Sequence, residues 1–183
     1  MNGLAALLIR RLTHDFAGPV GAMTTVLELG PGDDPELLSL VADSATGLAA
    51  TLKLYRFIAT PEDGPVASAT VRALLADWLT ARGGPALDLS DTGEWPGPVA
   101  RLTAALAMIA TDVRAPTLTV TMGRVVLSAP LADELARVLG GEPAATPREA
   151  LAGLAASEAA AAGLTIGVAA DALTVYQGSA LPL

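Results

Sequence analysis

Two long stretches of helical hydrophobic period, separated by a six-residue break, constrain this 183-residue chain more than any other feature. Over residues 4–29, Leu4, Leu8, Leu12, Phe16, Met23 and Leu27 recur at spacings of four and seven, the repeat of one amphipathic helix. Gly30-Pro31-Gly32-Asp33-Asp34-Pro35 then interrupts the pattern. Glycine stops a helix, an Asp caps the next, and proline suits a first helical turn. A second helix is predicted over residues 35–59, with Leu37, Val41, Leu48, Leu52 and Tyr55 along one side. So short a connection forces the two helices to lie antiparallel. Each then carries an apolar stripe and has one neighbour. The expectation is that a second copy completes a four-helix bundle, making the protein a homodimer; the alternative is that the rest of the same chain covers the stripe.

Residues 60–65, Thr-Pro-Glu-Asp-Gly-Pro, replace periodicity with turn formers and charge and read as a linker. This divides the chain into a helical hairpin at 1–60 and a second domain at 66–183. Helices are expected at 68–81, 98–113, 131–139 and 147–162. Strands are expected at 86–89, 117–122, 124–128, 164–168 and 172–177, with a hairpin turn at Gly123. Helices set apart from a mostly antiparallel sheet make a two-layer α/β sandwich, so the fold class is α+β.

Composition removes several functions. Eleven basic against 19 acidic residues leave a net charge of -8, which repels a phosphate backbone, so no nucleic-acid partner is expected. With no Cys and one His, a zinc site lacks its usual ligands. The hydrophobic fraction of 52% includes only 3% aromatics and much alanine. No uninterrupted apolar run reaches the roughly 18 to 20 residues of a membrane span, and Arg10 and Arg11 follow the first apolar run, whereas a secretory signal puts its charge first. A cytoplasmic location without a membrane partner is therefore expected.

The one histidine, His14, lies mid-helix. At 100° per residue it sits about 200° from Leu12 and Phe16, which puts it on the solvent face. Arg10, Arg11, Ala17 and Gly18 lie three or four residues away, and Gly21 one turn further. Small side chains there admit close approach of another macromolecule. Pro19 removes a helical hydrogen bond, and Gly18 and Gly21 each cost about 1 kcal/mol relative to Ala. A helix serving structure alone would avoid Gly-Pro-x-Gly; local rule-breaking beside one reactive residue marks a functional site.

His14-Asp15-Phe16 followed by Pro19 resembles the phosphoacceptor motif of the dimerisation helices of sensor histidine kinases. With Arg11-Leu12-Thr13, Gly18 and the distal Tyr55-Arg56-Phe57, the neighbourhood is most similar to the alphaproteobacterial histidine phosphotransferases of the ChpT type. The similarity is carried by the hairpin and extends to the remainder only through element order. In sensor kinases the domain after the hairpin binds ATP through an Asn-bearing helix and glycine-rich turns. Here residues 101–114 contain no Asn, with Met108 and Asp112 near the expected places, and Ala129-Pro130-Leu131 follows the strand ending at Ser128 without paired glycines. The resemblance thus implies a degenerate ATPase-like domain with no cofactor and no autokinase activity.

It further implies that His14 relays a phosphoryl group between receiver-domain aspartates of a hybrid histidine kinase and of response regulators, with Mg2+ supplied by the receiver. An imidazole of pKa near 6.5 suits this work, being largely neutral near pH 7. Asp15 is expected to orient the ring or to be a surface carboxylate. Arg10, Arg11 and Arg56 are expected either to meet the phosphoryl group or an acidic receiver surface, or to be ordinary solvated side chains. Gly18 replaces the polar side chain found in phosphatase-competent sensor kinases, which disfavours hydrolysis. A docking scaffold for response regulators, with His14 incidental, is the alternative function. A hydrolase using His14 as base lacks a Gly-x-Ser-x-Gly elbow.

Overall fold

The computed structural model describes residues 3–30, 34–60, 64–111 and 116–177. Helices α1 (Gly3–Leu29) and α2 (Pro35–Ala59) pack side by side. Gly30, at φ +68°, ends α1 in a conformation that side chains disfavour. Asp34 caps α2, its Oδ1 accepting from the Glu36 N–H at 2.9 Å and the Leu37 N–H at 3.4 Å, with Pro35 in the first turn. The expected break is therefore seen at its two ends, while residues 31–33 lie outside the described residues. So do residues 61–63 of the linker, Asp112 and Val113 at the expected end of the fourth helix, and residues 178–183 of the second unit.

The elements that follow are β1 (Val66–Ala67), α3 (Ser68–Ala81), β2 (Ala86–Asp88), β3 (Glu94–Trp95), α4 (Gly97–Ala110), β4 (Thr117–Thr121), β5 (Arg124–Val126), α5 (Asp133–Leu139), α6 (Ala150–Ala161), β6 (Leu164–Val168) and β7 (Ala172–Gln177). The main sheet has the order β2-β4-β5-β7-β6; β2 and β4 run parallel, and every other neighbouring pair is antiparallel. The turn at Gly123 is as expected: φ is +72°, and a Cβ there would stand 3.0 Å from the Val175 carbonyl oxygen. β1 and β3 form a separate antiparallel pair that the sequence did not announce. Two residues among prolines and glycines are too few for an alternating pattern.

Helix α4 has no outward face: Gly97 and every residue from Ala100 to Ala110 are buried. It packs against β4, β5 and β7 on one side and against α2, α3 and α6 elsewhere. The last turns of α2 enter the same core, where Leu54, Tyr55 and Ile58 join Leu75, Trp78, Leu102 and Leu106. The hairpin thus lies across the helical layer, and one apolar cluster runs from hairpin to sheet. By length and composition alone, α2 is also long and apolar enough to cross a membrane. The run is not uninterrupted, since Asp43 and Lys53 lie within it.

The entry to α6 is a capping box. In Thr146-Pro147-Arg148-Glu149, the Glu149 Oε2 accepts from the N–H groups of Ala145 at 2.7 Å and Thr146 at 3.3 Å, while Thr146 Oγ1 accepts from the Glu149 N–H at 3.4 Å. The hydrogen bond from Ala145, helped by that from Thr146, holds the carboxyl below its ordinary value of 4.5. A carboxyl depressed by folding stabilises the fold above its unfolded pKa, and that stabilisation is lost as pH falls through the folded value. Glu149→Gln should therefore lower the thermal midpoint at pH 7, with the difference from wild type shrinking below about pH 4. Parallel melts across that range check it.

Candidate functional site

The His14 side chain is 87% exposed, whereas the Asp15 side chain beside it is only 9% exposed. Helical geometry explains the contrast. Leu12 and Phe16 turn inward, and Leu12 packs against the core, so His14 points away while Asp15 faces α2. There Asp15 Oδ2 accepts a 2.7 Å hydrogen bond from the Tyr55 hydroxyl and a 3.4 Å contact from Arg11 Nε. Its other oxygen, Oδ1, stands 3.4 Å from His14 Nδ1. Of the two expectations for Asp15, the surface carboxylate does not hold, because the carboxylate sits in the seam between α1 and α2. The rotation between adjacent helical residues, about 100°, does not keep it from the ring, since the Nδ1 edge reaches back toward the helix.

Burial and the hydrogen bond to Asp15 both push the Tyr55 phenol well above its ordinary value. It stays a hydrogen-bond donor through the physiological range. In the sequence Tyr55 shows only as an apolar-stripe residue and as part of the distal Tyr-Arg-Phe segment.

A cleft of about 750 Å³ opens around the imidazole, lined among others by Ala17, Arg10, Arg11, Arg82, Arg148 and Asp15. Four guanidinium side chains and one carboxylate make it electropositive in a chain of net charge -8. Arg10 is exposed, and Arg11 is half-buried with its Nη1 donating to the Arg148 carbonyl at 3.2 Å, which joins α1 to the entry of α6. Arg82 follows α3, its guanidinium 5.3 Å above the Trp78 ring. Arg148 sits inside the capping box and donates to Glu134 at 3.1 Å. Neither Arg82 nor Arg148 stands out in the sequence, because both come to the cleft only through tertiary packing. The sole local signal is the Thr-Pro-x-Glu that begins α6.

Gly18 and Gly21 are exposed, and a Cβ at either would meet nothing within 4 Å. The helix continues through Pro19. Arg56 is not brought to His14: it is exposed and lines another cavity of about 280 Å³, with Lys53, Phe57 and Arg101. It sits one residue beyond Tyr55, so its rotation about the helix axis carries it off the seam.

Between α4, α6 and the end of α2 lies a further cavity of about 330 Å³, lined by Ile58, Arg101, Leu102, Ala105, Leu154 and Glu158 among others. No glycine lines it, so it offers no close-approach backbone cradle of the kind nucleotide phosphates use. Among the described residues, no three His, Asp or Glu side chains stand together as metal ligands.

No protein-family model matches the chain, and no curated protein matches it. Solved structures do. A structure described as a bacterial phosphotransferase aligns with a TM-score of 0.73 at 18% identity, covering 94% of this chain and 95% of the other. The chain has the same fold as that protein. A histidine kinase of Acinetobacter baumannii, AdeS, aligns with a TM-score of 0.45 at 15% identity over 88% of this chain and 95% of the other, too distant to support any comparison of detail.

Proposed function

We propose that this protein is a histidine phosphotransferase of the ChpT type, relaying a phosphoryl group through His14 between receiver-domain aspartates of a hybrid histidine kinase and of response regulators. The observation that carries the reading is an imidazole 87% exposed in an arginine-lined cleft, with a carboxylate at its Nδ1. With a proton on Nδ1 facing Asp15, Nε2 presents its lone pair to solvent. That pair attacks phosphorus in line, the Nε2–P bond forms, and the P–O bond to the receiver aspartate breaks, leaving its electron pair on the departing carboxylate. The positive charge gained by the ring is balanced by the Asp15 carboxylate. A second receiver aspartate then reverses these steps.

The arginines offer charge-assisted hydrogen bonds to phosphoryl oxygens or to the acidic surface of a receiver. The receiver supplies Mg2+, and the chain uses no ATP. The fold shared with a phosphotransferase supports this reading, as do the sequence motif and the open surface at Ala17, Gly18 and Gly21. The relay belongs in the cytoplasm, where its partner receivers act. Incubation with a receiver domain carrying a labelled aspartyl phosphate tests it: acid-labile, alkali-stable label should move to this chain. Absence of transfer from every such receiver tried would overturn the assignment.

The active form in this proposal is a homodimer. Seven of the exposed large hydrophobic side chains lie on the hairpin, among them Leu27 at 63%, Leu29 at 70%, Leu38 at 47% and Leu40 at 46%. Burying the exposed parts of these leucines against a second copy favours association. Light scattering should give twice the chain mass of 18.4 kDa. Leu27→Glu combined with Leu38→Glu should return the monomer mass, because a buried, unpaired carboxylate costs more than the contact contributes.

A further inference from the structure

We infer that Tyr55 is a positioning residue for His14, acting through Asp15 to fix which ring nitrogen carries the proton. The inference rests on the proposed phosphotransfer at His14 for its consequence, but its geometry stands in the free protein. A carboxylate can turn about its terminal bond, and the contact between Asp15 Oδ1 and His14 Nδ1, at 3.4 Å, is too long to hold the group by itself. The short hydrogen bond is the one from Tyr55, 2.7 Å to Oδ2. It comes from a side chain only 7% exposed, on the neighbouring helix, within the cluster containing Leu54 and Ile58.

Arg11 Nε approaches the same oxygen. With Oδ2 held by the Tyr55 hydroxyl, Oδ1 is left facing the imidazole as a hydrogen-bond acceptor. Such an acceptor favours the Nδ1–H tautomer and leaves Nε2 unprotonated toward solvent. The packed core of the protein is thereby connected to the reactive nitrogen through a phenol and a carboxylate. The hydroxyl can sustain this because burial and the carboxylate keep it protonated.

Since His14 is the only histidine, nitrogen-15 NMR of the imidazole reads one residue without assignment ambiguity. At about pH 8, where a neutral imidazole predominates, the wild type should show mainly the Nδ1–H tautomer. Tyr55→Phe keeps the ring and removes the hydroxyl; it should move the population toward Nε2–H and slow transfer from a phosphorylated receiver by up to about tenfold.

In an Asp15→Ala background, which removes both oxygens, the same substitution should change neither quantity further, because the route through residue 15 is already broken. A purely structural contribution of Tyr55 would persist in that background. Unchanged tautomer populations in Tyr55→Phe, or full additivity with Asp15→Ala, would overturn the inference. Failure of all receivers to transfer would leave the NMR result standing and would count against the relay instead.

Discussion

His14→Gln should reduce transferred label to background while leaving the fold intact. Glutamine is close to histidine in volume and polarity and forms helices at least as readily, but its amide nitrogen has no available lone pair to form a bond to phosphorus. With the side chain 87% exposed, the substitution removes little packing, and exposed changes of this kind shift stability by within about 0.5 kcal/mol. Thermal midpoint and circular dichroism should therefore match the wild type, and the protein should still bind receivers. Full loss of label on a folded, receiver-binding variant separates a relay from a docking scaffold, whose function would survive. Label on the variant equal to that on wild type would move the phosphoryl site elsewhere.

Leu54→Ala should have the largest effect on stability. Leu54 is wholly buried where α2 enters the common core. Truncating such a leucine removes transfer free energy and leaves a cavity, together about 2 to 5 kcal/mol. For a chain of this length each kcal/mol shifts the midpoint by about 2 to 4 °C, so a loss near 3 kcal/mol lowers it by about 6 to 12 °C. Because Tyr55 is the next residue, the looser seam should also disturb the Asp15 hydrogen bond, and transfer should weaken at temperatures well below the new midpoint. A melt unchanged within a degree or two would mean that the helices on either side close the gap, or that the hairpin is not part of the cooperative unit.

The parts of this molecule that were readable in its sequence are those with a local cause. Period alone placed α1 and α2, a capping Asp marked the start of α2, and β6 and β7 fall within the stretches where β-branched residues are bounded by turn formers. The outward aim of His14 follows from its angle relative to Leu12 and Phe16. What stayed hidden depends on residues distant in the chain. Asp15 shows no sign in the sequence of its partner Tyr55, 40 residues later. Arg82 and Arg148 come from the ends of other helices. Arg56 illustrates the opposite error: its type suits an anion, yet one step of rotation past Tyr55 sends it to another cavity. Residue type names candidates, and the packing of α2, α6 and the end of α3 around α1 determines which of them line the cleft at the imidazole.

The core is continuous through the end of α2, and this bears on turnover in the proposed relay. Leu54, Tyr55 and Ile58 place the end of the hairpin in the same apolar cluster as the layer above the sheet, so any swing of that layer about the hairpin would have to expose buried side chains. In the proposed relay a donor and an acceptor receiver compete for each His14, and throughput is governed by how long each visitor stays and how abundant its rival is.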